Sequence, residues 1–400
     1  MSLSHRKVKK ELLIKDAQGN PLANRQVSID QTSHSFLFGC GAFEVLKHIK
    51  EGNEETADIT SKWFKIFNYG TLPFYWGGYE PEEGKTDEAN LMKTAKYLQE
   101  RGVRVKGHPL CWHTVCADWL MKYDNKTILK KQLDRIHREV TNFKGVIDMW
   151  DVINEVVIMP VFDKYDNAVT RICNDRGRIA LVKDVFEAAH ESNPNATLLI
   201  NDFNLSESYR ILIDGLLNAG VPIGAIGIQT HQHQGYMGKD KVLDILKRYE
   251  VFGLPLHFTE NTLISGEIMP SYIVDLNDWQ VDEWPTTPEG EERQCREIEE
   301  MYRLLFDHPL VEAITTWDFR DGAWLKAPAG FLRLDNSEKP SYKMLDKLVN
   351  EEWSTKLTLR TDNNGRVIVE GFKGDYCVST ESAKGSVSLT DNSEAVVKLA

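Results

Sequence analysis

Val146-Ile147-Asp148-Met149-Trp150-Asp151-Val152-Ile153-Asn154-Glu155 is rich in Val, Ile, Met and Trp along its length and then stops at an amide and a carboxylate. A strand that is apolar nearly throughout, rather than on alternate residues, is buried on both faces, as in a parallel sheet covered by helices. Outward from this segment the pattern repeats. β-rich runs are predicted at 35–41, 64–72, 103–112, 146–155, 197–203, 225–231, 255–261 and 312–319. Between them lie helical stretches at 88–101, 127–140, 206–218, 239–249 and 289–306, with apolar residues at three- and four-residue spacing, such as Ile128, Leu129, Leu133 and Ile136. Eight strands alternating with helices predict an α/β fold, a (β/α)8 TIM barrel over residues 34–350. An open doubly wound sheet is the rival, but no GxGxxG turn follows an early strand.

The 400 residues exceed what one barrel needs. The surplus lies at the ends. Residues 6–33 carry strand-like runs about the turn Asp16-Ala-Gln-Gly-Asn-Pro, and residues 354–400 alternate about Asp362-Asn-Asn-Gly and Lys373-Gly-Asp. Neither end has strands enough to stand alone, so the two are expected to pair as one small β-sandwich with a scaffolding role. A formal charge of −12 argues against a nucleic-acid partner, and no run approaches the ~18 apolar residues that span a membrane. Six cysteines (Cys40, Cys111, Cys116, Cys173, Cys295, Cys377) are scattered without CxxC or zinc spacing. Free thiols suit a reducing compartment, which gives an expectation of a cytoplasmic location; a signal segment ahead of this sequence would instead make it secreted. No cofactor or metal is expected, and the chain is expected to be a monomer or weak oligomer.

In such a barrel the chemistry sits where strands end and βα loops begin. Here those ends read His108-Pro-Leu-Cys-Trp112-His113, Asn154-Glu155, Asn201-Asp202-Phe-Asn204, Gln229-Thr-His231-Gln-His233, Thr259-Glu260-Asn261 and Trp317-Asp-Phe-Arg-Asp. Two carboxylates on the fourth and seventh strands, Glu155 and Glu260, form the pair that glycoside cleavage needs: one protonated to assist the leaving oxygen, one ionised to attack the anomeric carbon. Asn154 is placed to hold a sugar 2-hydroxyl.

Trp150-Asp-Val-Ile-Asn154-Glu155 resembles the acid/base motif of glycoside hydrolase family 10, the retaining endo-β-1,4-xylanases, and Thr259-Glu260 its nucleophile motif. The resemblance extends through Gly107-His108, Trp112-His113, Asn201-Asp202-Phe203-Asn204, Gly227-Ile-Gln229-Thr-His231, Trp317, Trp324 and Lys339-Pro340-Ser341-Tyr342, over roughly 35–350. It implies hydrolysis of O-glycosyl bonds by double displacement, with Glu155 as acid/base and Glu260 as nucleophile. It also implies that His108, Trp112, His113, Gln229 and His231 surround the sugar, with Trp317 and Trp324 as stacking platforms for a carbohydrate partner.

The departures are specific. Where the family carries Glu-Asn and, three residues on, Lys, this chain has Thr71-Leu72 and Tyr75. Where it carries Leu-Asp after the nucleophile, this chain has Asn261-Thr262, so the usual orienting partner of His231 is absent. The expectation is a sugar pocket rebuilt with Phe74, Tyr75 and Trp76, and a substrate other than plain xylan: a short oligosaccharide or a β-glycoside with an apolar or aryl aglycone. Two other readings stay open. A non-catalytic carbohydrate-binding barrel would bind without releasing product. A metal-dependent barrel hydrolase would use His108, His113, His231 and His233, although residues 35–41 lack the HxH such enzymes carry.

Overall fold

The computed structural model describes residues 3–400. The chain opens with β1 (Lys7–Lys15) and β2 (Gln26–His34). Eight strands follow: β3 (Leu37–Gly41), β4 (Tyr69–Pro73), β5 (Arg104–His108), β6 (Met149–Asn154), β7 (Thr197–Asp202), β8 (Ala225–Gln232), β9 (Leu256–Leu263) and β10 (Val311–Thr316). It ends with β11 (Lys356–Arg360), β12 (Arg366–Phe372), β13 (Gly374–Ser379), β14 (Lys384–Leu389) and β15 (Ala395–Lys398). Strands β3 to β10 close into one parallel barrel in sequence order, β10 returning to β3. The fold is therefore the expected (β/α)8 barrel.

Chain-wide contacts divide the described residues into two compact units, Gly39–Ser341 and the terminal segments flanking it. In the terminal unit a three-stranded sheet, β12-β1-β15, and a four-stranded sheet, β11-β2-β13-β14, each draw strands from both chain ends. Leu12, Ile14, Val27, Ile29, Val369, Tyr376 and Val378 make up its shared core. The alternation of buried and exposed residues along β1 and β12 is what lets one face of each sheet be apolar.

Within the barrel unit the helices start where side-chain oxygens cap them. Asp124 accepts from Thr127 N ahead of the helix Asn125–Asn142, and Thr287 accepts from Gly290 N ahead of Pro288–Phe306. The second predicted strand, 64–72, is corrected to Tyr69–Pro73, because the helix Glu54–Ile66 takes its first residues. Asn53 caps that helix, and Ile59, Trp63 and Ile66 line its buried side at helical spacing, which outweighs the β propensity of Phe64 and Ile66. The third predicted strand, 103–112, stops at His108, and the fourth, 146–155, starts at Met149. Among the described residues no helix is long and apolar enough to cross a membrane, and all six cysteines are unpaired.

Candidate active site

Close packing brings the strand ends into register. On β5, Gly107 pairs with Trp150 of β6, and a Cβ added at Gly107 would stand 2.1 Å from the Trp150 ring. The glycine is thus the space that Trp150 occupies, and Trp150 aligns the strand carrying Asp151, Asn154 and Glu155. Gly107→Ala is expected to destabilise the fold by ~1–3 kcal/mol through overpacking and to lower activity along with stability. Thermal unfolding beside Trp150 fluorescence checks this; an unshifted midpoint would show that the ring has room to move.

Polar residues inside these strands form two linked networks. In the first, Asp151 Oδ2 lies 2.6 Å from Lys106 Nζ and 2.7 Å from His108 Nδ1, all three groups buried. Burial would raise the Asp151 carboxyl, but Lys106 and His108 outweigh it and hold it below its usual range. With Nδ1 fixed by Asp151, His108 turns Nε2 toward Glu260, 3.9 Å from Oε1. In the second network, Asn201 Nδ2 donates to Glu260 Oε1 at 2.7 Å and to Asn154 Oδ1 at 2.8 Å, while its Oδ1 accepts from Thr259 at 2.6 Å. Gln229 Nε2 also donates to Asn154 Oδ1, at 2.9 Å. Two donors on Oδ1 fix the Asn154 amide so that Nδ2 is the end presented, 3.4 Å from Glu155 Oε1. Gly227 leaves the space filled by Asn201: a Cβ there would stand 2.4 Å from its Oδ1.

Glu155 and Glu260 end up in opposite electrostatic states. Glu155 is pushed up to about 8, first by burial and then by the charge of Glu260, against the Trp112 indole, which donates to its Oε2 at 2.8 Å. Its backbone has φ of 56°, a left-handed conformation that costs an L-residue roughly 1–2 kcal/mol; its N–H donates to Asn201 O at 2.8 Å. Burial would raise Glu260 too, but His108, His231 and Lys106 around it hold it below the usual range. The pair therefore offers a protonated carboxyl facing an ionised one.

Thr262, at the position where the family carries the orienting carboxylate, is itself the group that orients His231. His231 Nε2 lies 3.0 Å from Glu260 Oε2 and its Nδ1 2.9 Å from Thr262 Oγ1. Nε2–H donates a hydrogen bond to the carboxylate, and the Thr262 hydroxyl then donates to Nδ1, which fixes one tautomer without a second carboxylate. Asn261, the other departure, reaches the Phe258 and Thr315 carbonyls and accepts from Thr230, tying β8, β9 and β10 together.

The aromatic residues divide. Tyr75 stands with its ring 5.7 Å from His108 and 5.6 Å from Trp112, and burial, then the charges of Glu260 and Glu155, raise its hydroxyl. Trp317 packs edge-on to His108 at 5.2 Å and Trp324 to His231 at 4.7 Å. Phe74 and Trp76 do not join them, which corrects that part of the rebuilt pocket. Phe74 is fully buried against Tyr79, Phe143 and Trp150, and Trp76 lies under Arg135 and donates to Glu80. Tyr75 sits between them at the start of a single helical turn, so its neighbours point the other way into the packing. His113 is buried behind Trp112 against Phe162, with burial lowering it to about 4; it touches neither glutamate. His233 is sealed between Trp284 and Trp324. Among the described residues no three His, Cys, Asp or Glu side chains cluster to hold a metal ion.

Asn201, Lys106, Asp151 and Thr262 carry much of this geometry, yet none is among the sequence-predicted site residues; Asn201 enters there only as part of a motif and Thr262 only as a departure from one. A signal existed for two of them: a Lys and an Asp of opposite charge inside strands buried on both faces must find each other.

The sequence profile of glycosyl hydrolase family 10 matches residues 48–347. An endo-1,4-β-xylanase from Geobacillus stearothermophilus is 27% identical over 261 residues, covering 62% of this chain and 75% of that protein. An endo-1,4-β-xylanase/feruloyl esterase from Xylanibacter ruminicola is 27% identical over 51% of this chain, and an anti-sigma-I factor from Acetivibrio thermocellus is 24% identical over 97% of it. The matched regions span only 32% and 47% of those two longer proteins. In three dimensions the barrel resembles native xylanase 10B from Thermotoga maritima (TM-score 0.65, 21% identity, 80% of this chain and 96% of that one). It also resembles xylanase 10B from Thermotoga petrophila, solved with xylobiose (TM-score 0.65, 20% identity, 80% and 95%). At such identities the structural likeness speaks to the fold, whereas the profile match covers well over half the sequence: the chain belongs to glycosyl hydrolase family 10.

Proposed function

We propose that this chain is a retaining β-glycoside hydrolase of the endo-1,4-β-xylanase type, acting on short β-linked oligosaccharides or β-glycosides with an apolar or aryl aglycone in preference to plain xylan. One observation carries the reading: burial and the charge of Glu260 raise Glu155, while His108, His231 and Lys106 hold Glu260 below its usual range. Family membership and the xylanases among the relatives support the class of reaction. Thr71, Leu72 and Tyr75, in place of the family's polar residues, support the altered preference; a sugar hydroxyl left unpaired on binding costs about 1–3 kcal/mol.

In the first step Glu260 attacks the anomeric carbon while Glu155 gives its proton to the departing oxygen. The Nδ2 of Asn154 is presented to the 2-hydroxyl. Glu260 then becomes an ester and loses its charge, which is one of the two main causes of the raised Glu155 carboxyl. Glu155 becomes more acidic at the moment it must serve as base and take a proton from the attacking water. Product stereochemistry followed by NMR, over aryl β-xylosides, β-glucosides, β-cellobiosides, xylo-oligosaccharides and xylan, tests both parts. The β-anomer is expected as first product, with best turnover on a short or aryl substrate. The α-anomer as first product would overturn double displacement, and best turnover on polymeric xylan would overturn the preference.

A second reading, a carbohydrate-binding barrel inside a longer regulatory protein, is favoured by the anti-sigma-I factor that matches nearly the whole chain. It predicts sugar binding without product release.

A further inference from the structure

Glu155 directly follows β6 and Glu260 lies on β9, and both strands run into long segments, residues 155–167 and 264–287, before their α-helices begin. The strands between them in the ring, β7 and β8, are followed by short turns, 203–206 and 233–238. The two long segments meet. Lys164 Nζ lies 2.5 Å from Asp275 Oδ2 and 2.8 Å from Asp278 Oδ1. Both sides are held in place. The β9 segment packs Ile264, Met269 and Trp284 into a small core shared with Ala327 and Ala329 after β10, and Gln234 of the turn after β8 donates to its Pro270 and Ile273 carbonyls. On the β6 segment, Phe162 packs on His113 and Tyr165.

In an eight-strand ring β7 and β8 stand opposite β3 and β4. A sugar chain lying between Glu155 and Glu260 would therefore run from the β3–β4 side to the β7–β8 side, over the turns after β7 and β8. The ion pairs join the segments that flank these turns.

We propose that Lys164, Asp275 and Asp278 form a clasp that closes the β7–β8 end of the mouth, so that short chains and chain ends are accepted and the interior of a polymer is disfavoured. This deepens the proposed function and rests on it. All three side chains are partly exposed, so the pairs are individually weak and screened by salt. The clasp therefore biases the choice of substrate rather than forbidding one, by about three- to tenfold.

The test compares kcat/KM on 4-nitrophenyl β-xylobioside with that on soluble xylan, for the wild type, Lys164→Ala and the double variant Asp275→Ala/Asp278→Ala. The polymer-to-short ratio is expected to rise about three- to tenfold in both variants, with turnover of the short substrate retained, and to rise in the wild type at high salt, which screens exposed ion pairs. A ratio unmoved in both folded variants and by salt overturns the clasp and leaves the hydrolase reading intact. A wild type that turns over neither substrate overturns that reading instead. The comparison is then made as affinity for soluble xylan against xylotetraose, where an unmoved ratio again overturns the clasp.

Discussion

Glu260→Ala is expected to abolish turnover of every substrate, activated or not, by about 10⁴-fold or more. The reason is the position of the carboxylate, which no other group duplicates. Asn201 Nδ2 and His231 Nε2 each direct one of its oxygens, and His108 stands behind. The neighbours that keep it ionised would stay in place without it, so the substituted site holds a void lined by donors. A small anion such as azide fits that chemistry. It is expected to attack the anomeric carbon directly and to yield an α-glycosyl azide from a β-glycoside with a good leaving group. Loss of the carboxylate leaves Asn201 and His231 short of a partner at about 1–3 kcal/mol each, which a fold of this size tolerates; Glu260→Gln supplies the near-isosteric control. Steady-state rates with an aryl β-xylobioside, with and without azide, read the result. Activity within tenfold of wild type in a folded Glu260→Ala protein would remove this residue from the chemistry.

Much of this arrangement was written in local pattern. Apolar strands ending in polar clusters, separated by helices with three- and four-residue apolar spacing, place the catalytic candidates on one rim because parallel strands share a direction. The segment at 64–72 resisted that logic. Ile66 and Phe64 suit a strand, and only the cap at Asn53, well upstream of both, starts the helix that claims them. Tyr75 illustrates a second limit. Adjacent aromatics at 74, 75 and 76 look alike in sequence, but a turn after a strand sends successive side chains in different directions, so one faces the mouth and two enter the packing. Thr262 marks a third: its hydroxyl does in space what a carboxylate was expected to do, and sequence shows only that the carboxylate is missing. The ion pairs of Lys164 join residues more than a hundred positions apart on irregular segments, where no periodicity exists to read.

Glu155→Ala is expected to separate substrates by their leaving groups. General acid assistance contributes about 10²–10⁴-fold, and only where the departing oxygen needs a proton. Dinitrophenyl glycosides should form the glycosyl-enzyme at near wild-type rate and then stall for want of a base, giving a burst; unactivated oligosaccharides should lose the full factor. Equal losses on both would contradict the acid/base role. The pH profile follows from the same environment. With Glu260 below its usual range and Glu155 at about 8, the wild type should be active across the interval between them and fall on the alkaline side near 8. That alkaline limb should vanish in Glu155→Gln for dinitrophenyl substrates. Stability follows with a definite sign. A carboxyl raised from 4.5 in the unfolded chain to about 8 in the fold contributes stability that is fully present below 4.5 and lost as pH rises through 8. Glu155→Gln has no proton to lose, so its unfolding temperature should gain on wild type from pH 5 to pH 9 in calorimetry. A constant gap would mean that Glu155 is not held protonated, and the donor in the first step would then have to be another group.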